Sequence, residues 1–254
     1  MSSTGRYLYG IIRAEDGAGL ALPGLDDGDQ PTQVAMLPVG GLGVLLSPYP
    51  AERKVPPLRK NLLAHNRVIR EVLDRTTILP LGLGQVAGSE DELVTALTPV
   101  LDELRGELRR LQGRVEMDLG LRIVAPNVFA YLVSQDEELR AARDQIFAPG
   151  RTPTQNEKLD LGRLFEERLA ALRQEHEERV SEALRAVADD VAPQKVQGEA
   201  AVLKLAVLVR REALPALEAK VSEIAATYPA DYAFDYRGPF APFHFTAVDI
   251  RLAS

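Results

Sequence analysis

The chain has 254 residues, of which 46% are hydrophobic, which is enough to bury a core and to form one large or two small domains. It contains no cysteine, so disulfides, thiolate metal sites and cysteine nucleophiles are excluded. No stretch reaches the roughly 18 apolar residues of a membrane span, and the first residues do not have the pattern of a signal peptide. We therefore expect a soluble, cytoplasmic protein that does not associate with membranes.

The charge balance argues against nucleic acid as a partner. Thirty basic and 37 acidic residues give a net charge of -7, so a phosphate-binding surface would have to be a local patch. Arg105, Arg109, Arg110 and Arg114 flank the end of one predicted helix, but a solvated helix face explains them better.

Residues 1–112 predict a small α+β domain. Residues 6–14 favour an opening strand, and Gly40 and Gly41 stand between two apolar runs, as in a hairpin. An amphipathic helix is predicted after Pro57, because apolar residues and one histidine recur at helical spacing. These are Leu58, Leu62, His65, Ile69 and Val72.

A second helix is predicted from a capping box at Ser89 and Glu92 to about Leu111. Pro99 lies inside this helix, where it removes a backbone hydrogen bond and crowds the preceding turn. We therefore expect a kink or an interruption at Pro99.

Residues 113–254 predict a second α+β domain, a modified ferredoxin-like sandwich with a long helix and an extra strand. Residues 114–124 alternate as a strand with one buried face, and residues 199–211 are apolar enough for a central strand. Capping boxes at Ser134 and Thr154 open two helices, the second with a helical stripe as far as Val191. A helix with Pro215 in its first turn, a strand at residues 231–237 and a last strand at residues 244–252 complete the domain.

The sequence offers little for catalysis or metal binding. The three histidines, His65, His176 and His244, have no ligand spacing, and nucleotide-binding and hydrolase motifs are absent, apart from a weak glycine pattern near Gly82. We expect no enzyme activity, no cofactor, no metal and no small-molecule substrate. His65 interrupts an apolar helix face, so it is either a hydrogen-bonded core residue or part of a pocket.

The most unusual feature is the aromatic segment, residues 236–245. Half of the chain's fourteen aromatic residues lie between Tyr228 and Phe245. Aromatic side chains bury a large area at low entropic cost, and prolines stiffen the backbone that presents them, so the segment suits a preformed contact surface. The alternating Tyr232, Phe234 and Tyr236 are expected to face the core. The candidate partner-binding residues are Tyr236, Arg237, Gly238, Pro239, Phe240, Pro242, Phe243 and Phe245.

The chain resembles the gas vesicle accessory family GvpL/GvpF. The resemblance rests on the opening Tyr9-Gly10-Ile11, on Leu62, His65 and Val68 of the first helix, and on the segment ILPLGLGQV, residues 78–86. The most specific part is the terminal signature Gly-Pro-aromatic-x-Pro-aromatic-x-Phe, at residues 238–245. The family often has Trp where Phe240 stands and Pro where Ala241 stands.

The resemblance implies a cytoplasmic, non-enzymatic accessory or minor structural protein of gas vesicles, with two α/β domains and no cofactor. It implies contacts with the hydrophobic shell protein and with other accessory proteins. We expect residues 236–245 and the exposed side of the helix at residues 156–191 to make those contacts. The alternative is a small-molecule-sensing ferredoxin-like regulatory protein, with His65 and residues 82–88 lining a pocket.

Overall fold

The computed structural model describes residues 4–26 and 31–247. The chain forms two compact units: unit 1 comprises Met1–Glu116 and Pro239–Ser254, and unit 2 comprises Met117–Gly238. The division into domains of residues 1–112 and 113–254 remains a prediction. The compact units group the residues from Pro239 onward with the N-terminal part of the chain.

Unit 1 contains a five-stranded sheet in which β1 is central. Its strands and helices are β1 (Thr4–Arg13), β2 (Ala35–Val39), β3 (Leu42–Pro50), α1 (Arg59–Leu73), β4 (Leu79–Pro80), β5 (Val86–Ala87), α2 (Glu90–Leu97) and α3 (Leu101–Arg110). β1 pairs antiparallel with β3 on one side and with β4 and β5 on the other. Side chains of both faces of β1 are buried, because helices and neighbouring segments cover them.

Local sequence signals explain most of unit 1. Gly40 and Gly41 have φ angles of 55° and 83°, as a two-residue hairpin turn between β2 and β3 requires. Ser89 caps α2 by accepting from the backbone N–H of Glu92, and the Glu92 side chain accepts from Gly88. The predicted interruption at Pro99 is confirmed, since a 3-10 turn (Thr98–Val100) separates α2 from α3.

The elements that follow build a second sheet, with the strand order β7-β8-β6-β9. They are β6 (Arg114–Ile123), α4 (Val128–Gln135), α5 (Glu137–Ile146), α6 (Gln155–Leu184), β7 (Asp190–Pro193), β8 (Ala201–Arg210), α7 (Leu214–Ala226) and β9 (Tyr232–Phe240). This chain order and strand order are consistent with a βαββαβ ferredoxin-like arrangement. The α+β fold class predicted from the sequence is confirmed.

Three details of the second half differ from the sequence-based expectation. α6 ends at Leu184, and Val191 lies in β7, because Val187 and Val191 continue the helical spacing by coincidence across a turn. Asp136, not Ser134, is the N-cap of α5. Phe243–Phe245 form a 3-10 turn where the start of a last strand was expected, and residues 248–252 lie outside the described residues.

The capping box at Thr154 is as predicted. The Thr154 side chain accepts from the backbone N–H of Glu157, and the Glu157 carboxylate accepts from the backbone N–H of Thr154. Tyr232, Phe234 and Tyr236 are half-buried and not core residues, because β9 stands at the end of its sheet.

Candidate functional site

The aromatic turn, residues 240–245, presents two phenylalanine side chains to solvent. Phe240 is 41% exposed and Phe243 is 37% exposed. Between and after them, Ala241, Pro242 and Phe245 are buried. The turn therefore has an inner side that packs on unit 1 and an outer side that carries two large apolar rings.

The remaining candidates from the sequence have different surroundings. Pro239 is exposed, and Gly238 has a φ of 140°, a conformation that favours glycine. Arg237 is exposed and pairs with Asp235 at 3.1 Å between Nε and Oδ2. Tyr236 is half-buried, and this burial raises the pKa of its phenol. Tyr236, Arg237 and Gly238 belong to unit 2, so the site described below is confined to residues of unit 1.

The buried carboxylate of Glu116 binds the aromatic turn on its inner side. Glu116, in β6, is only 2% exposed. Its Oε2 accepts a hydrogen bond from the backbone N–H of His244 at 2.9 Å, and its Oε1 accepts one from His244 Nδ1 at 2.6 Å. Buried carboxylates require such partners, and hydrogen bonds to a charged acceptor are among the stronger ones in proteins. Glu116 thus fixes both the main chain and the side chain of His244.

A second anchor lies at the end of α3. The Arg110 guanidinium donates to the carbonyl oxygen of Phe245, and also to both oxygens of Glu107 at 2.9 and 2.7 Å. Hydrogen bonds from Arg110 lower the pKa of the Glu107 carboxyl, and burial opposes this shift. Glu107 in turn accepts from the backbone N–H of Ala247 at 3.4 Å. The middle and the last residue of the 3-10 turn are therefore held by Glu116 and Arg110.

Short-range hydrogen bonds stiffen the turn itself. The backbone N–H of Phe245 donates to Pro242 O at 3.2 Å, and Thr246 Oγ1 donates to the same oxygen at 2.8 Å. The proline ring of Pro242 also restricts its own backbone. A contact surface that is already ordered loses less entropy when it binds a partner. This arrangement suits apolar protein contact.

The structure places His65 in the core of unit 1. It is 2% exposed, and both ring nitrogens are used: Tyr7 Oη lies 2.6 Å from Nδ1, and Nε2 lies 2.9 Å from the carbonyl oxygen of Leu81. Because a carbonyl only accepts, Nε2 carries the hydrogen and Nδ1 accepts from Tyr7. Burial lowers the pKa of His65 and thus favours the neutral ring. Of the two alternatives for His65, this placement favours the hydrogen-bonded core residue.

His176 lies inside a cluster of aromatic residues in unit 2. Its Nδ1 and Nε2 lie 3.1 and 3.2 Å from the hydroxyls of Tyr228 and Tyr232. The Arg179 guanidinium stands over the Tyr228 ring, 4.7 Å from its centre. This cluster ties α6 to the loop before β9, and its contacts explain His176 without a ligand.

Three exposed leucines at the start of α1 form an apolar patch that the sequence pattern does not predict. Leu58, Leu62 and Leu63 are 51%, 40% and 60% exposed, although Leu58 and Leu62 were expected on the buried stripe. The buried face instead begins with Asn61, which donates to Pro56 O at 2.9 Å. The Leu62-Leu63 pair carries no local signal of this exposure, since the adjacent Val68 and Ile69 of the same helix are both buried.

The described residues show no arrangement suited to a metal ion or a membrane span. Within residues 4–26 and 31–247, no three His, Asp or Glu side chains come together as metal ligands do. None of the helices in the same ranges has both the length and the apolar character to cross a membrane.

Comparison with known proteins identifies the family. Residues 5–247 match the family model described as gas vesicle synthesis protein GvpL/GvpF. The chain belongs to this family. The resemblance drawn from the sequence motifs is therefore confirmed over nearly the whole chain.

Individual members of the GvpL/GvpF family support the assignment. The chain is 28% identical to gas vesicle protein F of Streptomyces sp. (strain CB03234) over 248 residues, which are 94% of this chain and 98% of that protein. Its fold is similar to the crystal structure of GvpF from Anabaena sp. PCC7120, with a TM-score of 0.79, 24% identity and coverage of 97% and 100% of the two chains. GvpF from Microcystis aeruginosa gives a TM-score of 0.77 at 22% identity, with 96% and 99% coverage.

Proposed function

We propose that this chain is a gas vesicle accessory protein that assists assembly of the vesicle shell. It binds the hydrophobic shell protein, and other accessory proteins, without catalysing a reaction. It acts in the cytoplasm, where the vesicles form. The family membership supplies the biological context, and the proposal about contacts rests on the aromatic turn.

The proposal rests on the observation that Phe240 and Phe243 are both exposed on a turn that Glu116 and Arg110 hold in place. Exposed apolar patches often mark sites of protein–protein contact. A shell subunit that forms a gas-filled wall carries apolar surface before it assembles, so it needs an apolar partner surface. Two preordered phenylalanines provide one at low entropic cost.

The Leu58, Leu62 and Leu63 patch is the second apolar surface of unit 1 in this proposal. It lies at the start of α1, with Leu58 at the N-cap and Leu62 and Leu63 in the helix. The exposed side of α6 remains a further proposed contact, now limited to Gln155–Leu184. It carries mostly charged side chains, so we assign it to accessory proteins and not to the shell subunit.

Co-expression with the shell protein, followed by purification of this chain, tests the proposal. The wild type is expected to capture shell protein, and the double variant Phe240→Ala with Phe243→Ala is expected to capture much less. The matched control is Phe147→Ala with Leu159→Ala, which removes two large apolar side chains of unit 2 that are 54% and 50% exposed.

The outcomes separate the alternatives. Loss of capture in the aromatic-turn variant alone supports the assignment. Equal loss in both variants would indicate unspecific apolar adhesion, and capture unchanged in the first variant at unchanged stability would remove the aromatic turn from the contact surface. No capture by the wild type would contradict shell binding itself.

A further inference from the structure

A cavity of about 450 Å³ lies in unit 1, and its lining includes no residue of the aromatic turn. Three arginines line it: Arg13, Arg105 and Arg109. Its volume is within the usual range for small-molecule sites. The whole chain has a net charge of -7, whereas three guanidinium groups concentrate positive charge around this cavity.

The fold brings these arginines together from two elements. Arg13 is the last residue of β1, and Arg105 and Arg109 are four residues apart on α3, which places them on one helix face. The hairpin turn closes another side, where the carbonyl oxygen of Gly41 accepts from the backbone N–H of Ala14 at 3.1 Å. The cavity is therefore built by regular elements and by a turn whose geometry the two glycines fix.

Two of the three guanidinium groups are held in place by hydrogen bonds to other residues of unit 1. Arg13 Nη2 donates to Gln112 Oε1 at 2.8 Å. Arg105 bonds to Asp102 at 2.5 Å and also to the carbonyl oxygen of Gly40. Arg109 is exposed, and within the described ranges its side chain has no hydrogen-bond or ion-pair partner. Arg109 can therefore bind an anion without giving up a contact of the fold.

The other lining residues narrow the ligand class. Leu42 and Leu108 border the cavity but are almost fully buried, and the Glu15 carboxylate also lines it. Three guanidinium groups outnumber Glu15 and the Asp102 carboxylate that pairs with Arg105, so the cavity favours an anion. Guanidinium forks match the oxygens of a phosphate group. Glu15 would repel a purely anionic ligand, but it can accept from a hydroxyl or amino group of the same molecule.

We propose that this cavity binds a small phosphate monoester that also carries hydroxyl or amino donors, such as a nucleotide or a sugar phosphate. The phosphate contacts Arg105 and Arg109, with Arg13 beside them. The site uses neither the aromatic turn nor the leucine patch, so it stands or falls independently of shell binding.

The test is calorimetric titration of the purified full chain with AMP, glucose 6-phosphate and inorganic phosphate at constant ionic strength. Adenosine, which lacks the phosphate, is the ligand control. The proposal predicts that at least one of the two esters binds more tightly than phosphate and adenosine. The variant Arg109→Ala should weaken that binding by at least about tenfold, since it removes a charged hydrogen-bond donor. Arg163→Ala, at a side chain that is 81% exposed on α6, is the protein control and should bind like the wild type.

Arg109→Ala is expected to fold, because the Arg109 side chain is exposed and makes no hydrogen bond or ion pair with the residues that the structure describes. A thermal melt of the variant without ligand checks this. Inorganic phosphate binding as tightly as the tighter of the two esters would reduce the site to a general anion site and overturn the ester assignment. Binding weaker than about 1 mM for both esters, or binding unaffected by Arg109→Ala, would overturn the proposal as a whole.

Discussion

Glu116 and His244 are 128 residues apart in the chain, yet the carboxylate of one accepts both the backbone N–H and the Nδ1 hydrogen of the other. One buried side chain thereby holds the middle residue of a surface turn. Glu116 lies on the face of β6 whose alternation predicts solvent exposure. Its burial is explained by the turn that covers it.

Replacing this carboxylate should loosen the aromatic turn. In Glu116→Gln, the amide oxygen can accept from the backbone N–H of His244, but the amide nitrogen can only donate, so the His244 ring must carry its hydrogen on Nε2 to keep the second contact. Hydrogen bonds to the carboxylate are thereby replaced by weaker bonds to a neutral amide, and we expect the free energy of unfolding to fall by about 1 kcal/mol. Denaturant unfolding measures this, and amide exchange at His244 should become faster.

The control is Glu166→Gln, at an exposed position in the middle of α6. If rigidity of the turn contributes to binding, Glu116→Gln also reduces capture of the shell protein although both phenylalanines remain. Equal stability of the two variants would show that Glu116 does not anchor the turn.

The buried His65 should make stability depend on pH. Its pKa is lowered by burial, so the unfolded chain takes up a proton at a higher pH than the folded chain. The free energy of unfolding is then fully present above the ordinary histidine pKa of about 6.5 and falls as pH decreases through it, by at most about 1.4 kcal/mol per pH unit.

The variant His65→Gln tests this assignment, because glutamine does not titrate. Unfolding measured between about pH 7.5 and pH 5.5 should show a smaller loss for the variant than for the wild type. His176, whose pKa is also lowered by burial, accounts for a residual loss. Equal slopes for both proteins would contradict a titrating role of His65.

The residue that caps α5 in the structure differs from the one that the sequence pattern predicts. Asp136 accepts from the backbone N–H of Leu139 at 2.7 Å, whereas Ser134 Oγ donates to Tyr131 O and accepts from Gln135 Nε2, both within α4. Asp136→Ala should lower the free energy of unfolding by about 1 kcal/mol, and Asp136→Asn should retain most of it. Ser134→Ala should stay within about 0.5 kcal/mol of the wild type. A larger loss of stability in Ser134→Ala than in Asp136→Ala would indicate that Ser134 caps the helix, as the sequence pattern predicts.

The elements predicted correctly are those that nearby residues determine. The Gly40-Gly41 turn, the break at Pro99 and the alternating strand β6 each follow from backbone preferences or side-chain periodicity over a few residues. β7 was missed because it has only four residues, includes Pro193, and follows a helix whose apolar spacing continues through Val191. A short strand of this kind is specified by its pairing with β8 more than by its own sequence.

The candidate site was predictable only in part. The concentration of aromatic residues and prolines in residues 236–245 indicates a contact surface, but it does not tell which rings face outward. That depends on Glu116 and Arg110, which are distant in sequence. The exposed Leu58 and Leu62 were misassigned for a similar reason, since Asn61 occupies the buried position that an apolar residue would normally take.

The most direct test of the central claim is site-specific photo-crosslinking in cells that assemble gas vesicles. A photoreactive phenylalanine analogue such as p-benzoylphenylalanine is placed at Phe243 in one variant and at Phe147 in another, both exposed positions. We predict a crosslink to the shell protein from position 243 and none from position 147. A crosslink from position 147 alone, or none from position 243 while vesicles still form, would contradict the assignment of the aromatic turn as the shell-binding surface.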